Sequence, residues 1–184
     1  MRKLIFAINV TIDGFADHTA MIADDELHLF FADLLERTDT VLFGRKTYQL
    51  MESYWPRAAD DPASTEGMKK YAEKINNIQK IVFSHTLDKT GWNNTRLYKG
   101  NMTEEVIRLK NLPGKSISAG SLSLAAELTK QRLIDEYWFL VHPIILGKGL
   151  PLFRDISTRA DLKLLDTRIF KSGVVVLHYK KQNQ

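Results

Sequence analysis

The sequence predicts an α/β fold of three layers, with a mixed, mostly parallel sheet covered by helices on both faces. Three observations carry this. Short apolar, β-favouring runs alternate along the chain with amphipathic segments of about ten or more residues, the crossovers that parallel neighbours require. The 184 residues, 44% hydrophobic and 26% charged, suit a single domain over residues 1–184 with a sizeable core. No internal repeat, low-complexity tract or Pro/Gly/Ser linker divides the chain.

The first run, "KLIFAINV", is a compact strand that leaves into a turn at Asp13-Gly14. The N-terminus has the look of a signal peptide, but Asn9 and Asp13 break its apolar stretch and no small-residue cleavage site follows, so it is expected to stay as the first strand. In "DDELHLFFADLLER", Leu27, Phe30, Phe31, Leu34 and Leu35 recur at i, i+3, i+4, i+7 and i+8, with acids where the helix dipole favours them. That is an amphipathic helix. "TVLF" reads as a short buried strand, followed by a short helix holding Tyr48 and Met51; Ser53 to Ala63, with "YWP" and "DDP", reads as loop. Met68, Tyr71, Ala72 and Ile75 share one face of "TEGMKKYAEKIN", a helix leading to the strand "KIVFS".

After a loop at "GWNN" come the strand "TRLY" and a helix opening at Thr103, with Met102 and Ile107 at the positions of a hydrophobic staple. "NLPG" stops it. "KSISAGS" predicts a short strand running into the helix "LSLAAELTKQRL", and "DEYWFLVHPIIL" a long apolar strand ending at the glycine turn "GKG". "ADLKLLDT" and "SGVVVLHYK" close the chain as an antiparallel pair and make the sheet mixed.

Composition removes several function classes. Zero cysteines exclude a disulfide scaffold, a thiol nucleophile and cysteine-ligated zinc, and no metal site is expected; the same absence fits a reducing compartment, so cytoplasm is the expected location. No stretch reaches the eighteen or so apolar residues of a membrane span. The net charge is +4, but Lys and Arg are interleaved with acids, which speaks against nucleic acid as the partner.

In open α/β sheets ligands settle beyond the carboxyl ends of strands, and three strand-to-helix corners stand out there. At "LFGRKT", Gly44 allows close backbone approach while Arg45, Lys46 and Thr47 bring cations and a hydroxyl to a helix start, where positive charge is misplaced unless an anion joins it. The plainer reading is a solvated helix start. At "SAGS", Ala119, Gly120 and Ser121 open the next helix, so free amides could meet a pyrophosphate; alternatively Ser121 simply caps that helix. At "VFSHT", Ser84 and His85 could reach a further phosphate or an adenine, or stand as a polar strand end. Together the corners match a dinucleotide laid along the sheet edge.

In order, and over almost the whole chain, "TIDGF", "LFGRKTY", "VFSHT", "SAGS" and "LIDEYWFLVHPIILGKGLPLF" resemble the dihydrofolate reductase-like superfamily, and within it the bacterial branch related to the riboflavin-biosynthesis reductase, the RibD C-terminal domain. The resemblance implies an NADPH-dependent reductase with an eight-stranded sheet, often a homodimer. It implies that Gly44, Arg45, Lys46 and Thr47 hold cofactor phosphates, that Ser84 and His85 lie by the adenosine 2′-phosphate, and that Ala119, Gly120 and Ser121 cradle the pyrophosphate. Where His85 stands the family commonly has an arginine, so discrimination against NADH is expected to be weaker. Asn9 corresponds to the strand end beside the nicotinamide. Asp13-Gly14 is expected to form a turn, and His142, before Pro143, to be structural.

On the substrate side, folate-reducing relatives place a carboxylate early in the long helix. Ungapped matching puts His28 at that register, with Asp24, Asp25 and Glu26 nearby; Asp25 is the expected carboxylate for a pyrimidine or pterin edge, and the plainer reading of His28 is an exposed polar residue. The leading function is hydride transfer from NADPH to a pterin-like or ribosylaminopyrimidine-like heterocycle, the second dihydrofolate reduction. A non-catalytic nucleotide sensor is the alternative of another class.

Overall fold

The structure is a computed structural model and describes residues 1–154, 156 and 159–182. The described residues form one sheet from β1 Leu4–Thr11, β2 Thr38–Gly44, β3 Gln79–Phe83, β4 Thr95–Tyr98, β5 Ser116–Ala119, β6 Glu136–His142, β7 Leu162–Ile169 and β8 Val175–Lys181. The helices are α1 Asp25–Glu36, α2 Arg45–Ala58, α3 Glu66–Asn77, α4 Met102–Asn111 and α5 Leu122–Lys130, with one 3-10 turn at His18–Ala20. None is long and apolar enough to cross a membrane.

The strand order is β4-β3-β2-β5-β1-β6-β8-β7, so the sheet has the eight strands expected. Strands β1 to β6 pair in parallel, while β8 runs antiparallel to both β6 and β7. Alternation along the strands builds a core on each face. Leu42 and Ile81 pack with Val106 and Leu109 of α4 and Leu124 and Leu128 of α5. Their neighbours Val41, Phe43 and Val82 pack on the other side with Leu35 of α1, Tyr48 of α2 and Ile75 of α3.

Three sequence expectations need correction. Helix α2 runs to Ala58 rather than stopping before Ser53, although Pro56 cannot donate to the Glu52 carbonyl. Packing outweighs that loss: the Trp55 ring meets Tyr71 of α3 at 4.5 Å and His28 of α1 at 5.8 Å between centroids. Helix α4 opens at Met102, capped by Asn101, whose side chain accepts from the Glu104 amide. The staple is therefore absent, with Met102 on the core and Ile107 exposed. The long apolar strand β6 ends at His142 because Pro143 cannot continue the ladder, and Ile145 beyond it is exposed.

Two buried or bridging polar groups fix elements near the site. Lys80 at the start of β3 is fully buried, and its Nζ donates to the carbonyls of Ile75, Asn76 and Ile78 at 2.8, 3.1 and 2.8 Å, closing the C-terminal end of α3. Asp13 forms the expected turn and also straps a second loop, accepting from the amides of Leu146 and Gly147 at 3.0 and 2.7 Å.

Candidate functional site

Asn9 on β1, Gly44 on β2, Ala119 on β5 and His142 on β6 stand at or next to the carboxyl ends of neighbouring parallel strands, so the fold brings them to one rim. Ser84 and His85 follow β3 on the same rim, two strands from β5. At about 4.8 Å per strand they sit roughly 10 Å from the "SAGS" corner. The three corners form one row.

The row is electrostatically distinctive. Helices α1, α3 and α4 are capped by Asp24, Thr65 and Asn101, whose side chains accept from Leu27, Met68 and Glu104 amides. Helices α2 and α5 begin with Gly44 and Ser121 and have no side-chain cap. Ser121 occupies the cap position expected of it, but its Oγ accepts the Gly44 amide hydrogen at 2.8 Å and does not turn back on its own helix. The first amides of both helices therefore lack intrahelical partners at adjacent strand ends, and both dipoles place partial positive charge there.

Between these helix starts and the 150–154 segment lies a groove of about 420 Å³, lined among others by Lys46, Thr47, Leu122, Ser123, Lys130 and Arg154. Lys46 and Thr47 line it; Arg45 is exposed and outside its lining. Gly120 is required where it stands. A Cβ there would lie 2.6 Å from Phe43 Cε1 and 3.3 Å from the Leu42 carbonyl oxygen, and the Gly120 amide donates to that carbonyl at 2.8 Å. Ala119 is fully buried beneath it. Ser84 Oγ accepts from the Thr86 and Leu87 amides and closes its own turn, leaving the hydroxyl hydrogen free to donate outward; His85 is exposed.

A second cavity, about 380 Å³, opens between β1, α1, α2 and α3. Its walls include Phe31, Tyr54, Trp55 and Tyr71, with Asn9 and His28 as polar members. Asn9 is held from behind. The Ile22 amide donates to His142 Nδ1 at 3.1 Å, so the buried neutral ring carries its proton on Nε2 and donates it to Asn9 Oδ1 at 3.1 Å. This fixes the Asn9 amide and leaves its NH₂ group free to donate. Burial lowers the pKa of His142, in keeping with that neutral tautomer.

His28 Nδ1 lies 2.8 Å from the Asp24 carbonyl oxygen, which can only accept, so the neutral ring keeps Nε2 as an acceptor. Burial lowers its pKa as well. His28 is thus a half-buried member of the cavity wall rather than an exposed polar residue. Asp25 is placed differently from the sequence expectation. Its Oδ1 accepts from Thr65 Oγ1 at 2.5 Å and the Gly67 amide at 2.7 Å, tying α1 to the start of α3, and it is not part of the cavity lining.

Helix α2 joins the two spaces. Lys46 and Thr47 face the groove, and Leu50, Met51, Tyr54 and Trp55 face the cavity, the first of them about one turn, or ~5 Å, further on. Sequence reasoning missed Tyr54 and Trp55 because the "WP" pair reads as a breaker. The spacing of Met51, Tyr54 and Trp55, i, i+3 and i+4, is the signal that could have extended the helix. Lys130 and Arg154 carried no local pattern and become visible only where α5 and the 150–154 segment meet.

Comparison with known proteins accords with this geometry. Residues 2–176 match the model of the RibD C-terminal domain. The uncharacterised protein YyaP of Bacillus subtilis (strain 168) is 36% identical over 184 residues, covering 97% of this chain and 94% of its own. The deaminase/5-amino-6-(5-phosphoribosylamino)uracil reductase of Thermotoga maritima superposes with a TM-score of 0.66 at 18% identity, over 98% of this chain and 57% of that one. Dihydrofolate reductase from Enterococcus faecalis, solved with NADP(H), superposes with a TM-score of 0.65 at 13% identity, over 98% and 97% of the two chains.

Proposed function

The chain belongs to the RibD C-terminal domain family, and from that premise we propose that it is an NADPH-dependent reductase of a pyrimidine- or pterin-like heterocycle. The observation that carries the reading is the pair of uncapped helix starts, α2 and α5, side by side above a groove with Lys46, Lys130 and Arg154 on its walls. Such amides and cations suit a pyrophosphate.

The residues fit the cofactor in three places. Lys46, Thr47 and the first amides of α2 and α5 hold the pyrophosphate, with Gly120 keeping the backbone low enough for close approach. Ser84 and His85, along the same rim, take the adenosine end, where the imidazole of His85 favours the 2′-phosphate less than the forked guanidinium of an arginine does. Asn9, oriented by His142, donates to the carboxamide. When bound, the dinucleotide supplies a hydride to the carbon of a C=N or C=O bond in the substrate.

The chain's own part in the chemistry is to orient and to handle a proton. Phe31, Tyr54, Trp55 and Tyr71 exclude water and clamp a planar ring, a positioning effect. His28, with Nδ1–H donated to Asp24, keeps Nε2 free to exchange a proton with a ring nitrogen. Titration calorimetry with NADPH tests the cofactor half, and loss of near-ultraviolet NADPH absorbance across a panel of pterins and aminopyrimidines tests turnover. Saturable heat and turnover of a panel member are expected. No heat overturns the reading; heat without turnover across the panel replaces it with a nucleotide sensor.

A further inference from the structure

We infer that the aromatic cavity selects an uncharged, unphosphorylated heteroaromatic substrate, an inference that rests on the reductase reading of the same site. Among the described residues, no Asp, Glu, Lys or Arg lines the cavity. Its polar members are the Asn9 amide, the imidazoles of His18 and His28, and the phenols of Tyr54 and Tyr71. Burial favours the neutral forms of both His28 and Tyr71.

Most charges next along the chain have the wrong sign for an anion, and the cation among them, Lys70 beside Tyr71, is paired with Asp33 at 3.0 Å. Asp17 precedes the lining residue His18, and Asp24 and Asp25 follow the lining residue Ala23. Asp17 and Asp25 are held below the usual carboxylate range by hydrogen bonds from Thr19 and Thr65, so both are ionised at neutral pH. Arg168 is paired with Glu26, and Lys46 lines the cofactor groove. A phosphate carrying about −1.5 to −2 charges would enter this cavity with no cation in its lining to meet it and acids beside it, a severe desolvation cost.

A flat neutral ring meets complementary partners instead. Phe31, Trp55 and Tyr71 offer aromatic faces and edges, and His28 Nε2 accepts a ring N–H. The volume, about 380 Å³, sits toward the small end of the ~300–1,000 Å³ range of small-molecule sites. The site is shaped for a ring system without a long charged tail.

The test uses a matched pair: 5-amino-6-(5-phosphoribosylamino)uracil and the same compound lacking its phosphate. Binding to the full chain is read by tryptophan quenching, assigned to the cavity by its loss in Trp55→Phe. The dephosphorylated member is expected to bind at least about tenfold more tightly, ~1.4 kcal/mol. Leu50→Arg, which brings a cation to the cavity wall, is expected to reverse or erase that ratio. Equal or tighter binding of the phosphorylated member by the unaltered protein, quenching by neither, or an unchanged ratio in a folded Leu50→Arg protein overturns the inference. NADPH calorimetry in the same samples reports on the groove alone, so failure of the reductase reading is seen separately.

Discussion

Ser121 takes the Gly44 amide hydrogen on its own hydroxyl at 2.8 Å, and in doing so ties the starts of α5 and α2 together while capping neither. A serine at that position ordinarily accepts from its own second or third helical amide. Here the side chain pins two strand ends, and two positive dipole ends are left facing the same space with Arg45 and Lys46 beside them. The resulting repulsion is a cost in the ligand-free protein that an anion removes.

This relationship predicts opposite effects on affinity and stability. Lys46→Ala should weaken NADPH binding by about tenfold or more through loss of a charge-assisted contact, while the melting temperature of the free protein stays level or rises slightly. Arg45→Ala, outside the groove lining, should weaken binding less. Calorimetry and thermal scans on the two variants decide it, and equal losses in both would remove the distinction.

Gly120→Ala should destabilise the protein by about 1–3 kcal/mol, measured by denaturant unfolding. The new methyl would stand 2.6 Å from Phe43 Cε1, and Phe43 cannot swing aside because it is buried and stacked on Trp92 at 6.4 Å between centroids. Phe43→Leu in the same chain should recover part of the loss.

Lys80→Met tests the buried cap of α3. The carbonyl oxygens of Ile75, Asn76 and Ile78 lose the Lys80 ammonium, Asn76 keeping a second donor in Asn94 Nδ2 at 3.4 Å, at about 1–3 kcal/mol for a buried group that stays unsatisfied. Tyr71 on the same helix lines the aromatic cavity, so the variant should also show weaker binding of a ring compound. Hydrogen exchange should quicken in the last turn of α3.

Lys80 also illustrates where sequence reading stops. Short apolar runs and helical spacing located the eight strands and the five α-helices, although the second half of α2 reads as loop in sequence, because most of these segments carry the signal of burial in their own residues. The "KIVF" run was recognised, but nothing local distinguishes a buried capping lysine from a solvated one; three carbonyls from 75 to 78 make the difference. The three strand-to-helix corners were legible as places in the fold for a similar reason as the strands, since glycine, cations and small residues at a strand end carry meaning within four residues. The cavity was not. His28, Asn9 and Trp55 lie on separate elements and meet only after folding, and Asp25, chosen for its chemistry, is drawn to Gly67 because that glycine lets α3 approach α1 closely.

The outer edge of β7 ends the sheet, and Leu164, Leu165 and Ile169 along it are exposed. An unpaired apolar edge invites a second strand, and the family resemblance points to a second copy of this chain. The protein is expected to sediment as a dimer, and Leu164→Lys with Ile169→Lys to sediment as a monomer. A monomer at all concentrations in the unaltered protein would reject that interface.

Stability should fall as the pH drops below about 6.5, and His142 should account for part of the fall. Its folded pKa lies below the ordinary value of 6.5 because the ring is fully buried, and protonating Nδ1 would also break the bond from the Ile22 amide. Below pH 6.5 the unfolded chain therefore binds a proton that the folded protein refuses, and linkage makes stability decrease until the folded pKa is passed. His28, lowered in the same direction by burial, adds to the slope. In His142→Gln the amide can accept from Ile22 and donate to Asn9 without titrating. That variant should be less stable than the unaltered protein near pH 8, because a flexible amide replaces a fitted ring, yet show a shallower decline toward about pH 5. Denaturant midpoints across this range provide the measurement, and parallel curves for the two proteins would show that His142 does not titrate in the way its surroundings dictate.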